Sequence, residues 1–138
     1  MRRILVRSAL GALVVFLAIQ LVPYGWEKPN PPVVAEPTWP SARAEELARS
    51  ACYDCHSNET DWPAYSYVAP MSWLVRRDVE SGRDELNFSE WDGDGDDAAE
   101  TVAEGSMPPA QYSLLHPGAR LSDAERQELE AALLAIDD

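Results

Sequence analysis

Apolar residues recur at helical spacing in several stretches after residue 40, and each stretch predicts a helix. The first, SARAEELARSACYDCH, begins with Ser41 as its predicted N-cap and carries one apolar stripe, so it delivers both cysteines at its C-terminal end. A second helix is predicted from about Pro70 to Ser81, with Gly82 as its stop. Its expected core face contains Met71, Leu74, Val75 and Val79.

Two further helices are predicted near the C-terminus. One runs from about Asp96 to Glu104, starts among acidic residues and ends at Gly105. The last opens with a capping box and continues with apolar residues at helical spacing: Ser122, Glu125, Leu129, Ala132, Leu133 and Ile136. Strand-like alternation is not convincing in any segment, so the fold class is predicted to be all-α.

The N-terminus combines arginines with a long apolar run. The run from Ser8 to Val22 is preceded by Arg2, Arg3 and Arg7, and counting from Ile4 gives nineteen residues. An arginine near the end of a span can reach the headgroups, and QLVPYGW lacks the small residues of a signal cleavage site. We therefore expect residues 1–22 to form an uncleaved transmembrane helix with its N-terminus in the cytoplasm.

Prolines dominate the next stretch and separate it from the predicted domain. Residues 23–40 contain six prolines, a density that blocks helix and favours an extended spacer. The expected organisation is an anchor over 1–22, a proline-rich tether over 23–40 and one helical domain over 41–138.

The charge is strongly acidic and excludes one class of partner. The net charge is −13, and from residue 26 onward eight basic residues face 24 acidic ones, a net −16. Such a surface repels phosphate backbones, so nucleic-acid binding is excluded, and a charged partner is expected to present a basic face. A purely solubilising role for the charge stays open. The DGDGDD run at 92–97 lacks the glycine and glutamate of a calcium loop and is predicted to be an acidic turn.

Both cysteines lie in one five-residue pattern, CYDCH at 52–56. A disulfide across three residues closes too small a loop to stabilise much, and a thioredoxin-like dithiol needs strands that the pattern does not predict. A zinc site could use Cys52, Cys55 and His116 as ligands, but the sequence has no second cysteine pair to complete it. The spacing favours c-type haem attachment, with thioethers to Cys52 and Cys55 and His56 as an axial iron ligand.

A second axial ligand would fill the sixth coordination position of the iron, which otherwise stays open to small ligands. The candidates are Met71, Met107 and His116. Met71 lies on a predicted apolar helix face and is expected to pack in the core, whereas His116 precedes a proline in a predicted surface turn. Met107 stands between a helix-ending glycine and two prolines in EGSMPPAQY. We predict Met107 as the distal ligand, with simple gap filling as the alternative role.

With these residues in view, the chain resembles the small bacterial haem-binding domain family, which is related to single-haem c-type cytochromes. The matching stretches are NPPV at 30–33, ACYDCHSNET at 51–60, VAPMSWL at 68–74, ESGRDELNFSEW at 80–91, GSMPPAQY at 105–112 and LSDAE at 121–125. Ala64 departs from the pattern, since an aromatic residue is expected there. The resemblance implies one haem c on Cys52 and Cys55, His56 as proximal ligand and a cytochrome c-like helical domain.

The resulting hypothesis is a single-pass protein of the bacterial inner membrane whose C-terminal domain lies in the periplasm and transfers one electron between partner proteins. It is expected to be a carrier rather than an enzyme. The alternative is a haem-based sensor or ligand-binding module with an open or labile sixth iron site. A peroxidase is disfavoured because His116 is the only spare histidine for acid and base chemistry.

Overall fold

The structure, a computed structural model, describes residues 1–93 and 95–136. The α-helices of these residues are α1 (Arg2–Ile19), α2 (Ala42–Ala51), α3 (Tyr53–His56), α4 (Met71–Glu85), α5 (Asp96–Glu104), α6 (Ala110–Leu115) and α7 (Asp123–Ile136). Short 3-10 helices cover Ala64–Tyr67 and Pro117–Ala119. Strand-type pairing in the described part is a single parallel bridge between Ala35 and Glu90, so the all-α prediction is confirmed there. Asp94 of the acidic run lies outside the described residues.

The chain forms two compact units. The first comprises Met1–Lys28 and Trp62–Asp78, and the second comprises Pro29–Asp61 and Val79–Asp138. Helix α4 contributes residues to both. Every residue predicted to bind the cofactor or its iron lies in the second unit. The predicted boundaries at residues 22 and 40 stay predictions.

Residues of α2, α5 and α7 form the core of the second unit, and Phe88 packs between them and other aromatic rings. The buried cluster contains Leu47 and Ala48 of α2, Ala99 and Val102 of α5, Leu129 and Leu133 of α7, and also Tyr53 and Phe88. Phe88 is 1% exposed, and its ring stacks on Tyr53 at 5.3 Å and on Trp91 at 5.8 Å between centroids. Apolar burial of this kind supplies most of the stability of a small domain.

The proline-rich stretch is extended, as its composition predicts, and part of it is hydrogen-bonded within the second unit. The Val34 N–H donates to the Ser89 carbonyl at 2.8 Å, and the Trp91 N–H donates to the Ala35 carbonyl at 3.2 Å. Arg83 of α4 reaches the same stretch through the Pro29 carbonyl at 3.0 Å. Residues 29–35 therefore have fixed backbone partners.

The predicted caps of the first and last helices of the second unit are confirmed. The Ala44 N–H donates to Ser41 Oγ at 3.0 Å at the start of α2. At the start of α7 the Ser122 N–H donates to the Glu125 carboxylate at 2.9 Å, as in a capping box. Gly105 also ends α5 as predicted, with φ of 76° in the left-handed region that favours glycine.

Helix α4 differs from its prediction in length and in one exposed face residue. It continues through Gly82 to Glu85, so the prediction of Gly82 as a helix stop is wrong. Within the first unit, Leu74 is 43% exposed although it was expected to face a core, whereas Val79 in the second unit is 2% exposed as expected. Gly82 instead lies where α4 closely approaches the backbone of Cys55, a contact described below.

Helix α1 corrects the predicted membrane anchor. The helix begins at Arg2 and ends at Ile19, so its uninterrupted apolar part covers only 8–19, about 18 Å at 1.5 Å per residue against a bilayer core of about 30 Å. In the part of the chain that the structure describes, the search for a helix with the length and apolarity of a membrane span found none. The prediction of a single-pass anchor in the bacterial inner membrane, on which the predicted localisation rested, is therefore wrong.

Candidate haem-binding site

The cysteine motif occupies the junction of α2 and α3. Cys52 caps both helices, with its N–H donating to the Ala48 carbonyl at 2.8 Å. The N–H groups of Cys55 and His56 then donate to the Cys52 carbonyl at 3.1 and 2.9 Å. The two thiols therefore leave one tight turn, and His56 follows directly. Neither cysteine forms a disulfide.

Burial keeps the Cys52 side chain in its thiol form. Desolvation, with a smaller contribution from Cys55, raises the pKa of Cys52 to about 12. A redox-active cysteine instead needs a pKa low enough to give thiolate at neutral pH. The environment of Cys52 thus disfavours the dithiol interpretation of the motif.

Two backbone groups, at Leu86 and Gly82, orient the His56 ring. Nδ1 lies 3.2 Å from the Leu86 carbonyl oxygen. A carbonyl only accepts, so Nδ1 carries the proton and Nε2 keeps its lone pair, the arrangement of a histidine that binds metal through Nε2. Burial lowers the pKa of His56, while hydrogen bonds to the Leu86 and Gly82 backbone act in the opposite direction. The ring is therefore held neutral and oriented.

A glycine allows α4 to lie directly against the motif. A Cβ added at Gly82 would stand 2.6 Å from the Cys55 carbonyl oxygen and 3.0 Å from the Cys55 carbonyl carbon. Real Cβ atoms do not approach backbone this closely, so only glycine fits without a shift. This approach places the end of α4, and with it the Leu86 carbonyl, beside His56.

Met107 lies against the same core cluster as Cys52. Both side chains are partly buried and pack on it, together with Leu86 and Trp91. The backbone of Met107 is held at the end of α5, where its N–H donates to the Thr101 carbonyl at 3.2 Å. The fold thus brings two of the predicted site residues to one hydrophobic cluster.

The other two candidates for a second axial position are Met71 and His116. Met71 is partly buried in the first unit. The His116 ring stacks on Tyr112, with centroids 4.2 Å apart and planes 13° from parallel. Met107 stays the preferred candidate because it packs on the same core cluster as Cys52.

Sequence reasoning missed the residues that connect the motif to distant segments. Tyr112 donates from its hydroxyl to Asp54 Oδ2 at 2.6 Å, and Asp54 lies between the two cysteines. Arg83 Nε donates to the Ser57 carbonyl at 2.7 Å, just after His56. No local pattern marks these contacts, since the partners are 58 and 26 residues apart in the chain.

The donor set suits haem rather than a bare metal ion. In residues 1–93 and 95–136, histidine, cysteine, aspartate and glutamate do not form a group of three or more able to hold a metal. What the motif offers is two cysteine side chains, one oriented imidazole and an adjacent apolar cluster. Thioether attachment needs thiols, and a porphyrin needs an apolar surface with an axial donor, so the residues present fit a haem.

Comparison with known protein families gives the same result independently. The family model described as a haem-binding domain matches residues 14–133 of the chain. The chain belongs to the haem-binding domain family. This match spans α1 to α7 and includes every predicted site residue. Haem binding is therefore the property that the family assigns to this chain.

One curated relative and the solved structures complete the comparison. The chain is 26% identical over 105 residues to the cytochrome c peroxidase of Escherichia coli (strain K12), a match that covers 62% of this chain and 21% of that protein. The chain thus spans about a fifth of the length of this relative. Significant matches to solved structures were not found.

Proposed function

We propose that this haem-binding domain protein carries one c-type haem and transfers single electrons between partner proteins. Cys52 and Cys55 would hold the haem as thioethers, with His56 and Met107 as the axial iron ligands. The haem supplies a one-electron iron couple when bound. The match to a protein named cytochrome c peroxidase supports a role in redox chemistry.

The observation that carries the proposal is the contact between His56 Nδ1 and the Leu86 carbonyl at 3.2 Å. It orients the ring and, in the neutral imidazole, leaves the lone pair on Nε2, which is what an axial ligand requires. The two cysteines in the preceding turn would give the attachment chemistry. Their spacing of three residues suits the two vinyl groups along one edge of a porphyrin.

Met107 is proposed as the distal ligand because its segment is held in place independently of a cofactor. The Gly105 N–H donates to the Val102 carbonyl at 3.0 Å, and Ser106 Oγ donates to the Thr101 carbonyl at 3.0 Å. A ligand on a backbone held in this way needs little rearrangement when the iron changes its charge, which suits electron transfer. Methionine opposite histidine also raises the reduction potential.

The proposed redox partner offers a basic docking face. From residue 26 onward the chain carries a net −16, so its field attracts a basic surface and accelerates their encounter. Such association weakens with salt, which screens charges beyond about 10 Å at 0.1 M.

The test is Met107→Ala in the full chain produced with a c-type cytochrome maturation system. We expect the variant to lose the methionine–iron absorption band, to have a lower reduction potential and to bind carbon monoxide rapidly in its reduced form. Met71→Ala is the matched control and should change none of these. An unchanged spectrum and potential for Met107→Ala would exclude Met107 as the ligand, and rapid carbon monoxide binding by the wild type would favour a sensor.

A further inference from the structure

We propose that Tyr112 is a positioning residue that holds the Met107 segment against the cysteine motif and so keeps the sixth iron position closed. The inference rests on the proposed function, because it takes Met107 as the distal ligand. It adds a residue outside the ligand set and assigns it control over ligand access.

The first observation is the bond between Tyr112 and Asp54. The Tyr112 hydroxyl donates to Asp54 Oδ2 at 2.6 Å, a length typical of a hydroxyl bound to an ionised carboxylate. Such bonds are about twice as strong as neutral ones. Asp54 is one of the two residues between Cys52 and Cys55, so this bond reaches the motif itself.

The second observation is that the Asp54 carboxylate is fixed. Its Oδ1 accepts the Asp61 N–H at 2.9 Å, and its backbone carbonyl accepts the Thr60 hydroxyl at 2.8 Å. An acceptor held at two points does not follow a donor that moves away. The bond to Tyr112 therefore opposes displacement of the helix that carries Tyr112.

The third observation is that apolar burial does little to hold α6. None of its six residues, Ala110–Leu115, is buried, and Leu114 is 70% exposed. Burial of apolar side chains is the usual force that holds a helix in place, so here polar contacts take its part. Arg120 donates to the Ser113 carbonyl from a nearby position in the chain, whereas the Tyr112 hydroxyl reaches a segment 58 residues away. The Tyr112 ring also stacks on His116, which keeps it in one orientation.

The fourth observation links this helix to Met107. Only Pro108 and Pro109 separate Met107 from the start of α6, and proline fixes φ near −65°. At its other end the segment is bonded to α5 through the Met107 N–H and the Thr101 carbonyl. Motion of α6 away from Asp54 would thus be transmitted through a stiff dipeptide to Met107.

The experiment is Tyr112→Phe in the haem-loaded full chain. The substitution keeps the ring and its stack on His116 and deletes only the hydroxyl. Carbon monoxide enters when Met107 leaves the iron, so loss of a charge-assisted hydrogen bond should raise the association rate of the reduced protein roughly tenfold or more. Tyr67→Phe, a hydroxyl deletion on a 63% exposed ring of the first unit, is the control and should leave the rate at the wild-type value.

A double-mutant cycle with Asp54→Asn tests the pair itself. Asparagine keeps the size of the side chain but has one acceptor oxygen for the two donors, so the bond to Tyr112 is weakened. If Tyr112 and Asp54 act as one unit, the carbon monoxide association rate of the double variant should match that of Tyr112→Phe. The rate increases of the two single variants should then not multiply. Independent, multiplying effects would overturn the inference.

Amide hydrogen exchange separates positioning from a general loss of stability. We expect faster exchange in residues 105–116 of Tyr112→Phe, with unchanged exchange in α7. Faster exchange throughout α5, α6 and α7 would overturn the positioning role.

Failure of the inference and failure of the proposed function give different results. A slow wild-type rate that Tyr112→Phe leaves unchanged would overturn the inference and leave the proposed ligation standing. A wild-type rate as fast as that of Met107→Ala would refute Met107 ligation and the inference together.

Discussion

Replacing Gly82 with alanine tests whether the close approach of α4 to the cysteine motif is required. The added Cβ would lie 2.6 Å from the Cys55 carbonyl oxygen and 3.0 Å from Cys55 Cβ. The nearest atoms belong to backbone, which cannot rotate aside as a flexible side chain does. Helix α4 must therefore shift, and the Leu86 carbonyl, four residues further on, moves away from His56 Nδ1.

Two opposing effects set the magnitude. Glycine to alanine inside a helix is favourable by about 1 kcal/mol, because glycine loses more conformational freedom on folding. Inserting a methyl group into a filled site costs about 1 to 3 kcal/mol, and the upper part of that range applies where backbone must move. The clash therefore exceeds the helix gain, and we expect a net loss of about 1 to 2 kcal/mol in the free energy of unfolding.

Urea unfolding of the full chain, followed by circular dichroism, measures this loss. With a slope of about 1 to 3 kcal/mol per molar urea, the midpoint should fall by roughly 1 M. Gly118→Ala is the matched control in the same unit, since a Cβ there meets no atom within 4 Å. Its midpoint should stay near that of the wild type. A Gly82→Ala midpoint at or above the wild-type value would refute the reasoning.

Two further predictions concern Tyr53 and Arg83. Burial raises the pKa of Tyr53 to about 12, so the folded state keeps a proton that the unfolded state loses near pH 10. This stability is fully present below about pH 10 and is lost as the pH rises towards 12. Tyr53→Phe should flatten the fall in urea midpoint over that window, and an equal fall in both proteins would contradict the assignment. Arg83 donates to the carbonyls of Ser57 and Pro29 and to Thr60 Oγ1, so Arg83→Lys should cost about 2 to 4 kcal/mol because lysine cannot replace the planar fork. The exposed Arg77→Lys serves as control, and equal urea midpoints for the two variants would show that the fork is not needed.

The sequence predicted the features that depend on local chemistry. Ser41, the pair Ser122 and Glu125, and Gly105 act as helix ends, and each acts through residues a few positions away. The apolar stripe of α2 is buried for the same reason, since helical spacing alone decides which of its residues share a face. The family resemblance read from the CYDCH motif and its neighbouring stretches agrees with the haem-binding domain match.

The features it did not predict have either a long-range or a local cause. Gly82 has the local appearance of a helix stop, but the approach of Cys55, 27 positions earlier in the chain, explains it. Helix α6 was missed because six residues between prolines give too short a pattern to recognise. The predicted anchor failed because three arginines and a helix end at Ile19 leave too short an apolar helix.

The site residues likewise divide into those that the sequence identified and those that only the fold reveals. The motif itself identified Cys52, Cys55 and His56 as candidates. The Leu86 carbonyl that orients His56 could not be found in the sequence, because a backbone group carries no residue signature. Tyr112 was equally hidden, since tyrosine packs or donates in many settings and only the fold brings it to Asp54.

The most direct test of the proposed covalent haem is the intact mass of the full chain under denaturing conditions, after production with a c-type maturation system. We expect the wild-type chain to be heavier than the bare polypeptide by one haem, and to stay so after denaturation and solvent extraction. The double variant Cys52→Ala, Cys55→Ala should lack this added mass. A wild-type chain with the mass of the bare polypeptide would contradict thioether attachment at Cys52 and Cys55.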